Sequence, residues 1–340
     1  MMLIEKTAAR RILVRAPNWL GDAIMCVPAI RGLAEVFEPE EIVVLARSSL
    51  DGLYERYAFI RRVQYITIKN SRRVHKEMSN SGFDAFFLFT NSFGSALEAR
   101  LTKCPVRVGY GGNFRGVLLT HVVPKWKRVH MADYYLNLVR PFGAHKFSQH
   151  QEFPVLKEEA DFADEIKGLD GAVGLPLGAQ YGRAKCWPHK HLKSLIKLIA
   201  SHGRRAVLFG TKNDCLQAEV LETVAPEAVV NLAGKTTIGQ MAAVMAKCDW
   251  VVANDSGPLH VAAAVGVKTV AIFGPTDQAR TAPTTERVRI LTRNVDCSPC
   301  FRRECNRDHR CMEAISAEEV WAVVAEGAEV KSVAADYERN

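Results

Sequence analysis

Asn254-Asp255-Ser256-Gly257 is a tight polar turn between an apolar run, Trp250 to Ala253, and Pro258, a residue suited to the first turn of a helix. The apolar run reads as a buried parallel strand, and the residues from Pro258 as a short helix carrying His260. A helix opening there aims unpaired N–H groups and a partial positive charge at the crevice above the sheet, where open α/β folds bind a diphosphate. Ser256 and Gly257 let a phosphate come close to backbone. The same residues also suit plain capping, with Asp255 or Ser256 as N-cap and His260 as a partly buried histidine.

A second loop has the same character. Gly178-Ala-Gln-Tyr-Gly-Arg-Ala-Lys185-Cys-Trp187-Pro188 follows the apolar run Ala172 to Leu177 and precedes a helix predicted from about His189 to His202. Lys185 offers phosphate a compact point charge. Two phosphate-competent loops in one half of a chain are hard to explain by capping alone.

These loops need a scaffold, and the chain alternates accordingly. Strand-like runs recur at Ile12 to Ala16, Glu41 to Ala46, Phe86 to Thr90, Ala172 to Leu177, Arg205 to Gly210, Trp250 to Asn254 and Thr269 to Gly274, with helical patterns between many of them. This is the βαβ signature of parallel sheets covered on both faces. With 340 residues and 48% hydrophobic content the chain can bury two cores. The glutamate-rich segment from about Phe147 to Gly168 is the expected linker, which puts the domains at 1–160 and 161–325, with a tail over 326–340.

Charge is divided unevenly. Residues 1–150 hold 22 Lys+Arg against 12 Asp+Glu, whereas residues 151–340 hold 23 against 25, so the whole excess of the net +8 lies in the first half. Arg61-Arg62, Arg72-Arg73 with Lys76, and Lys125-Trp126-Lys127-Arg128 would draw phosphorylated sugars or anionic lipid, or simply solvate a basic surface. No helix-turn-helix, zinc-finger or RNP-type motif accompanies them, so nucleic acid is not an expected partner. No apolar run reaches the ~20 residues of a membrane span. MMLIEKTAARRILV does not read as a signal peptide, since Glu5 and Arg10-Arg11 interrupt any apolar stretch, and a cytoplasmic protein is expected.

Cys297, Cys300, Cys305 and Cys311, with His309, imitate zinc-ligand spacing. Only one C-x2-C pair occurs, and a cytoplasmic chain keeps thiols reduced, so a loop without metal is expected. Cys26, Cys104, Cys186, Cys215 and Cys248 lie mostly beside apolar residues and read as buried thiols.

Five blocks carry a family resemblance: ArgAlaProAsnTrpLeuGlyAsp at 15–22, AlaLysCysTrpPro at 184–188, AsnAspSerGlyProLeuHis at 254–260, PheGlyProThr at 273–276 and CSPCFRREC at 297–305. On them the chain, from Arg11 to about Val324, resembles the ADP-heptose:lipopolysaccharide heptosyltransferase family, the heptosyltransferase II branch more closely than the first. The resemblance implies the GT-B fold, an α/β architecture of two Rossmann-like domains facing a cleft, with a C-terminal helix crossing back to the first domain. Ala317 to Val330 is the candidate for that helix.

The resemblance also assigns roles. Asp22, just past the first strand, becomes the general base that takes the acceptor hydroxyl proton, where the local sequence alone would also allow an N-cap for a helix beginning at Ala23 after a turn at Gly21. Lys185 and the N–H groups of Ser256 and Gly257, with Asp255 and His260 nearby, would stabilise the departing diphosphate of ADP-heptose. Asp214 would approach the ribose, Thr236 and Thr237 the adenine, and Thr276 the donor from the next strand end. Asn18, Asn91, Ser92 and Ser95 would bind acceptor hydroxyls, although Asn91, Ser92 and Ser95 equally suit a cap for the next helix. Direct displacement with inversion, from a β-linked donor to an α-linked product, is implied.

No cofactor is then required, and no Asp-any-Asp metal signature occurs; magnesium would at most stimulate. The implied acceptor is a lipopolysaccharide inner core, Kdo2-lipid A bearing one heptose, met by a peripheral protein at the inner face of the cytoplasmic membrane. Heptosyltransferase I or III, acting on a different core acceptor, is the nearest alternative. A non-enzymatic nucleotide- or lipid A-binding protein would need the loops but not Asp22. A Rossmann oxidoreductase would want a G-x-G-x-x-G turn, and none follows Ile12 to Ala16.

Overall fold

Runs such as IVVLA in the second strand and WVVA in the tenth are apolar throughout, because a strand covered by helices on both faces has no solvent side to mark with polar residues. A computed structural model describes residues 9–126, 128–143 and 149–326. The chain divides into two compact units between Gln151 and Glu152, within the expected linker.

The first unit runs β1 (Arg11–Arg15), α1 (Leu20–Phe37), β2 (Glu41–Arg47), β3 (Arg62–Ile66), α2 (Ser71–Asn80), β4 (Ala85–Leu88), α3 (Phe93–Leu101), β5 (Val106–Tyr110), β6 (His121–Val123) and α4 (Met131–Val139). Its strands are parallel, in the order β3-β2-β1-β4-β5-β6. The second unit runs α5 (Lys157–Asp164), β7 (Val173–Pro176), α6 (His189–Ser201), β8 (Ala206–Phe209), α7 (Cys215–Glu222), β9 (Val229–Asn231), α8 (Ile238–Lys247), β10 (Trp250–Asn254), α9 (Gly257–Ala264), β11 (Lys268–Ile272), α10 (Gln278–Thr281), β12 (Val288–Leu291), α11 (Arg310–Glu313) and α12 (Ala317–Glu326). Its strands are parallel too, in the order β9-β8-β7-β10-β11-β12.

Renumbered within its own unit, each sheet has the order 3-2-1-4-5-6, the doubly wound pattern whose chain direction reverses between strands 1 and 4. Ligands of such sheets lie outside the carboxyl ends of those two strands. The switch points are therefore β1/β4 and β7/β10, and the polar loops after these strands are the ones the sequence singled out. In the first unit Leu13, Val43, Leu45, Phe86 and Leu88 pack against Val74 and Met78 of α2 and Ala96 and Ala99 of α3. In the second, Val173, Leu175 and Leu208 share a core with Trp187, Leu195 and Trp321.

All seven expected strands are present with ends shifted by a residue or two. Five more, β3, β5, β6, β9 and β12, had no apolar run to announce them, since they are short and only partly buried. The expected linker is not featureless: α5 packs on α8, and its entry is fixed by the Glu159 side chain accepting from the Leu156 N–H at 2.9 Å. Phe147 and Ser148 lie outside the described residues. The helix expected to return to the first domain is α12, whose described residues pack on α6 and β11 of the second unit; residues 327–330 and the rest of the tail lie outside the description. Among the described residues no helix is long and apolar enough to cross a membrane.

Candidate active site

At the second switch point Asp255 follows β10 and is 4% exposed. Its Oδ2 accepts from Lys185 Nζ at 2.5 Å and from Thr276 Oγ1 at 2.6 Å, and its Oδ1 from Thr281 Oγ1 at 3.3 Å. A buried carboxylate is tolerated only with such partners, and here it gathers one cation and two hydroxyls from two loops and the end of α10. Asp255 is thus no N-cap. Lys185 Nζ also lies 4.7 Å from the centre of the Tyr181 ring, so the ammonium is held between an anion and a π face.

The neighbouring Asn254 ties the two loops together. Its Oδ1 accepts from the Trp187 N–H at 3.0 Å, and its Nδ2 donates to Gly178 O at 3.4 Å. Ser256 holds the N-cap position of α9 in extended conformation, with no capping bond from its hydroxyl. His260, 3% exposed, is a buried residue of that helix.

Asp214 Oδ2 accepts from the N–H and hydroxyl of Thr211, both at 2.7 Å, closing the turn after β8. Its carboxylate fits there because Gly178 has no Cβ: one would stand 2.6 Å from Asp214 Oδ1. Gly178 also has φ +67°, a left-handed backbone that glycine adopts without strain. Thr237 caps α8 by accepting from the Gln240 N–H at 3.1 Å, and Gln240 Oε1 in turn accepts from the Thr237 N–H at 3.0 Å. Thr236, half-buried, precedes it.

The cysteine-bearing segment braces the Lys185 loop. Phe301 O accepts from Tyr181 Oη at 2.7 Å, Arg303 O from the Ala184 N–H at 2.9 Å, and His309 Nε2 lies 2.8 Å from Ala184 O. Ser298 Oγ donates to Gly274 O at 2.5 Å, and the Phe301 N–H to Pro275 O at 2.8 Å. One segment therefore grips both the 178–188 loop and the 273–276 turn. Cys297, Cys300, Cys305 and Cys311 line one small pocket with Ala184 and Pro275. Burial, and then the three other thiols, push Cys311 up to about 11. Among the described residues no group of three or more His, Cys, Asp or Glu side chains is disposed to hold a metal ion.

In the first unit α1 begins at Leu20, three residues before the expected start, because Gly21 is helical and buried rather than a turn. Asp22 therefore stands in the first turn, where a carboxylate suits the positive end of the helix, and not at the N-cap. Its Oδ1 accepts from Tyr135 Oη at 2.8 Å. Tyr135 is buried, with its ring edge-on to Phe89 at 6.0 Å. Burial, and then Asp22, raise its phenol well above the ordinary tyrosine range, so it stays a donor. Cys26, one turn along α1, is raised by burial and then by Asp22.

Asn18 Oδ1 accepts from Arg15 at 3.2 Å, and Arg15 also reaches Glu98 at 3.3 Å. Ser92 caps α3 by accepting from the Ser95 N–H, while the buried Ser95 hydroxyl donates back to Ser92 O at 2.8 Å. The capping alternative accounts for the bonds of both serines. Asn91 lies against Tyr134, so consecutive residues of α4 reach Asn91 and Asp22. Sequence reasoning missed Tyr134, Tyr135 and Thr281, which sit outside every motif, and gave no role to Tyr181 inside the Lys185 loop. It also missed Arg115, fully buried beside Asn91, with Nη1 on Thr90 O at 2.5 Å and with Nε and Nη2 unpartnered.

Residues 71–310 match the family described as glycosyltransferase family 9 (heptosyltransferase). Lipooligosaccharide heptosyltransferase 2 of Campylobacter jejuni is 27% identical over 320 residues, which cover 91% of this chain and 96% of that protein. Lipopolysaccharide heptosyltransferase 2 of Escherichia coli is 29% identical over 304 residues, covering 83% and 87%. The solved structure of the E. coli ADP-heptose lps heptosyltransferase II matches with a TM-score of 0.80 at 26% identity, over 93% of this chain and 99% of that one. The expected α/β class with two Rossmann-like sheets of GT-B type is borne out, as is the resemblance to the heptosyltransferases, the second type in particular.

Proposed function

The chain belongs to glycosyltransferase family 9, the heptosyltransferases, and from that membership we propose that it moves L-glycero-D-manno-heptose from ADP-heptose to the first heptose of the lipopolysaccharide inner core. The acceptor in this reading is Kdo2-lipid A bearing one heptose, met at the inner face of the cytoplasmic membrane. One observation carries it: each sheet sets a chemistry-bearing pair beside its own switch point, Asp22 with Tyr135 in the first and Lys185 with Asp255 in the second.

Asp22 takes the proton of the acceptor hydroxyl as that oxygen attacks the anomeric carbon. The C–O bond to the diphosphate breaks on the opposite face, which inverts the centre from β to α, and the bond's electron pair leaves on ADP. Negative charge grows on the diphosphate in an oxocarbenium-like transition state. Lys185 and the N–H groups of Ser256 and Gly257 answer that charge, with Asp255 holding the lysine in place through the 2.5 Å ion pair. The lysine has donors beyond the one spent on Asp255. Charge stabilisation by these groups needs no metal held by the protein, and magnesium would act only as a stimulant. Asp214, Thr236, Thr237 and Thr276 belong to the donor side of this reading, and Asn18 and Asn91 to the acceptor side.

The test is to incubate the protein with ADP-heptose and defined acceptors carrying no heptose or one heptose, and to weigh the products. Growth of only the one-heptose acceptor supports the reading. Growth of the heptose-free acceptor assigns the chain to the first type, and growth only of acceptors already carrying more sugar to the third. Asp22→Asn abolishes turnover in this reading while ADP affinity changes little; a fully active Asp22→Asn enzyme removes Asp22 from the mechanism.

A further inference from the structure

Helix α3 is built inside out. Its inward face is made of small residues, Ser95, Ala96 and Ala99, while Phe93, Leu97 and Leu101, spaced four apart and so on one stripe, face solvent. The short helical turn Arg115–Leu118 touches α3 and adds Phe114, 91% exposed, and Val117, 86% exposed. Phe114 and its predecessor Asn113 both have left-handed backbones, at φ +56° and +51°. A β-carbon residue pays for that conformation, so a bulky aromatic held outward this way is not an accident of packing. Trp126 is also exposed, and its neighbour Lys125 reaches toward the Phe114 turn, with Nζ 3.4 Å from the Cβ position of Gly112, two residues before Phe114.

The electrostatics of this face have one sign. Between Glu98 and Asp133 the sequence contains no acidic residue and seven basic ones. Arg100, Lys103, Lys125 and Arg128 are exposed; Lys127 lies outside the described residues. Glu98, the acid of α3, is turned to Arg15 at 3.3 Å. Monomeric surfaces rarely gather large apolar side chains in this way without a partner. Aromatic and aliphatic side chains interleaved with cations match the boundary between anionic headgroups and acyl chains. A second copy of the same face would instead set cation against cation.

We propose that the α3 stripe, the Phe114 turn and the Lys125-Trp126 edge form a docking face for an anionic lipid bilayer. The N-terminal end of α3, at Ser92, follows β4 at the first switch point, so a bilayer on this face brings lipid-anchored sugars to the end of the sheet where Asn91 stands. This deepens the proposed acceptor reading and rests on it only for that last step.

The experiment measures co-sedimentation with phosphatidylcholine vesicles, with and without phosphatidylglycerol, alongside ADP binding and transfer to a deacylated, water-soluble acceptor. The triple variant Leu97→Ser, Leu101→Ser, Phe114→Ser replaces only exposed side chains. It lowers vesicle partition by about a thousandfold, since each of the three large apolar side chains withdrawn from water contributes about tenfold, while ADP binding and transfer to the soluble acceptor persist. Arg100→Glu with Lys103→Glu abolishes the preference for phosphatidylglycerol and keeps the fold under test should the triple variant not fold. Vesicle binding unchanged in both variants overturns the proposal. So does a wild-type dimer that the triple substitution dissociates while no vesicle binding is seen. Vesicle binding as expected with no transfer to any acceptor leaves the docking face standing and refutes the acceptor reading instead.

Discussion

Tyr135→Phe deletes one oxygen from a buried ring and leaves the ring's packing on Phe89 in place. The lost contact is the 2.8 Å bond to Asp22 Oδ1. A hydrogen bond to a charged group is worth about 1.5–3 kcal/mol, and Asp22 is partly exposed, so the lower end applies. Because the bond orients the carboxylate that acts as base in the proposed reading, its loss lowers kcat/KM for the acceptor, and about 1.5 kcal/mol corresponds to about tenfold. The assay is ADP release at saturating donor and varied acceptor, with ADP affinity and Tm measured in parallel. An unchanged kcat/KM in a variant of unchanged Tm and ADP affinity refutes the argument, because then either Asp22 is not the base or Tyr135 does not hold it.

In the proposed reading the Lys185 ammonium serves ground and transition states alike, so Lys185→Ala raises the donor KM and lowers kcat together; unaltered donor kinetics take it out of the site. Asp255→Ala strands a buried cation and costs about 3–5 kcal/mol of stability, read as a lower urea midpoint at unchanged slope. Gly178→Ala forces a side chain into a left-handed position and against Asp214, a cost of about 1–2 kcal/mol from the backbone alone, and weakens ADP binding in calorimetry. Raising ionic strength increases the acceptor KM much more than the donor KM, as the basic excess sits in the first half and is screened beyond about 8 Å near physiological salt; equal sensitivity of the two contradicts a role for that excess in acceptor capture.

What could be read ahead of the structure was the set of strands buried on both faces, because continuous apolar runs such as Trp250 to Ala253 leave little alternative. The polar loops at their ends were legible for the same reason: Asn254-Asp255 and the Lys185 loop stand where an apolar run stops. Partners were not. Asp255 reads as a cap candidate in sequence, yet its ligands come from Lys185, Thr276 and Thr281, positions 70, 21 and 26 residues away. Tyr135 is 113 residues from Asp22 and looks like one more aromatic of an amphipathic helix. Gly21 misled in the opposite direction, because a glycine before an aspartate suggests a turn and here lies inside α1, buried. The α3 stripe could have been seen as a helix with its large residues at four-residue spacing, but which side faced the core depended on packing.

The grip of residues 298–309 on the Lys185 loop bears on how the protein comes into being on the ribosome. Tyr181 waits for Phe301, 120 residues later, and Trp187 for Ile315, 128 residues later. At about 5–20 residues per second, that is on the order of ten seconds before these particular bonds can close. The first sheet needs no such delay, since its strands are complete once β6 has been translated. A nascent chain should thus own a finished first sheet well before the Lys185 loop is braced, and a chain that terminates short of residue 297 should lack that brace and, in the proposed reading, hold ADP more weakly.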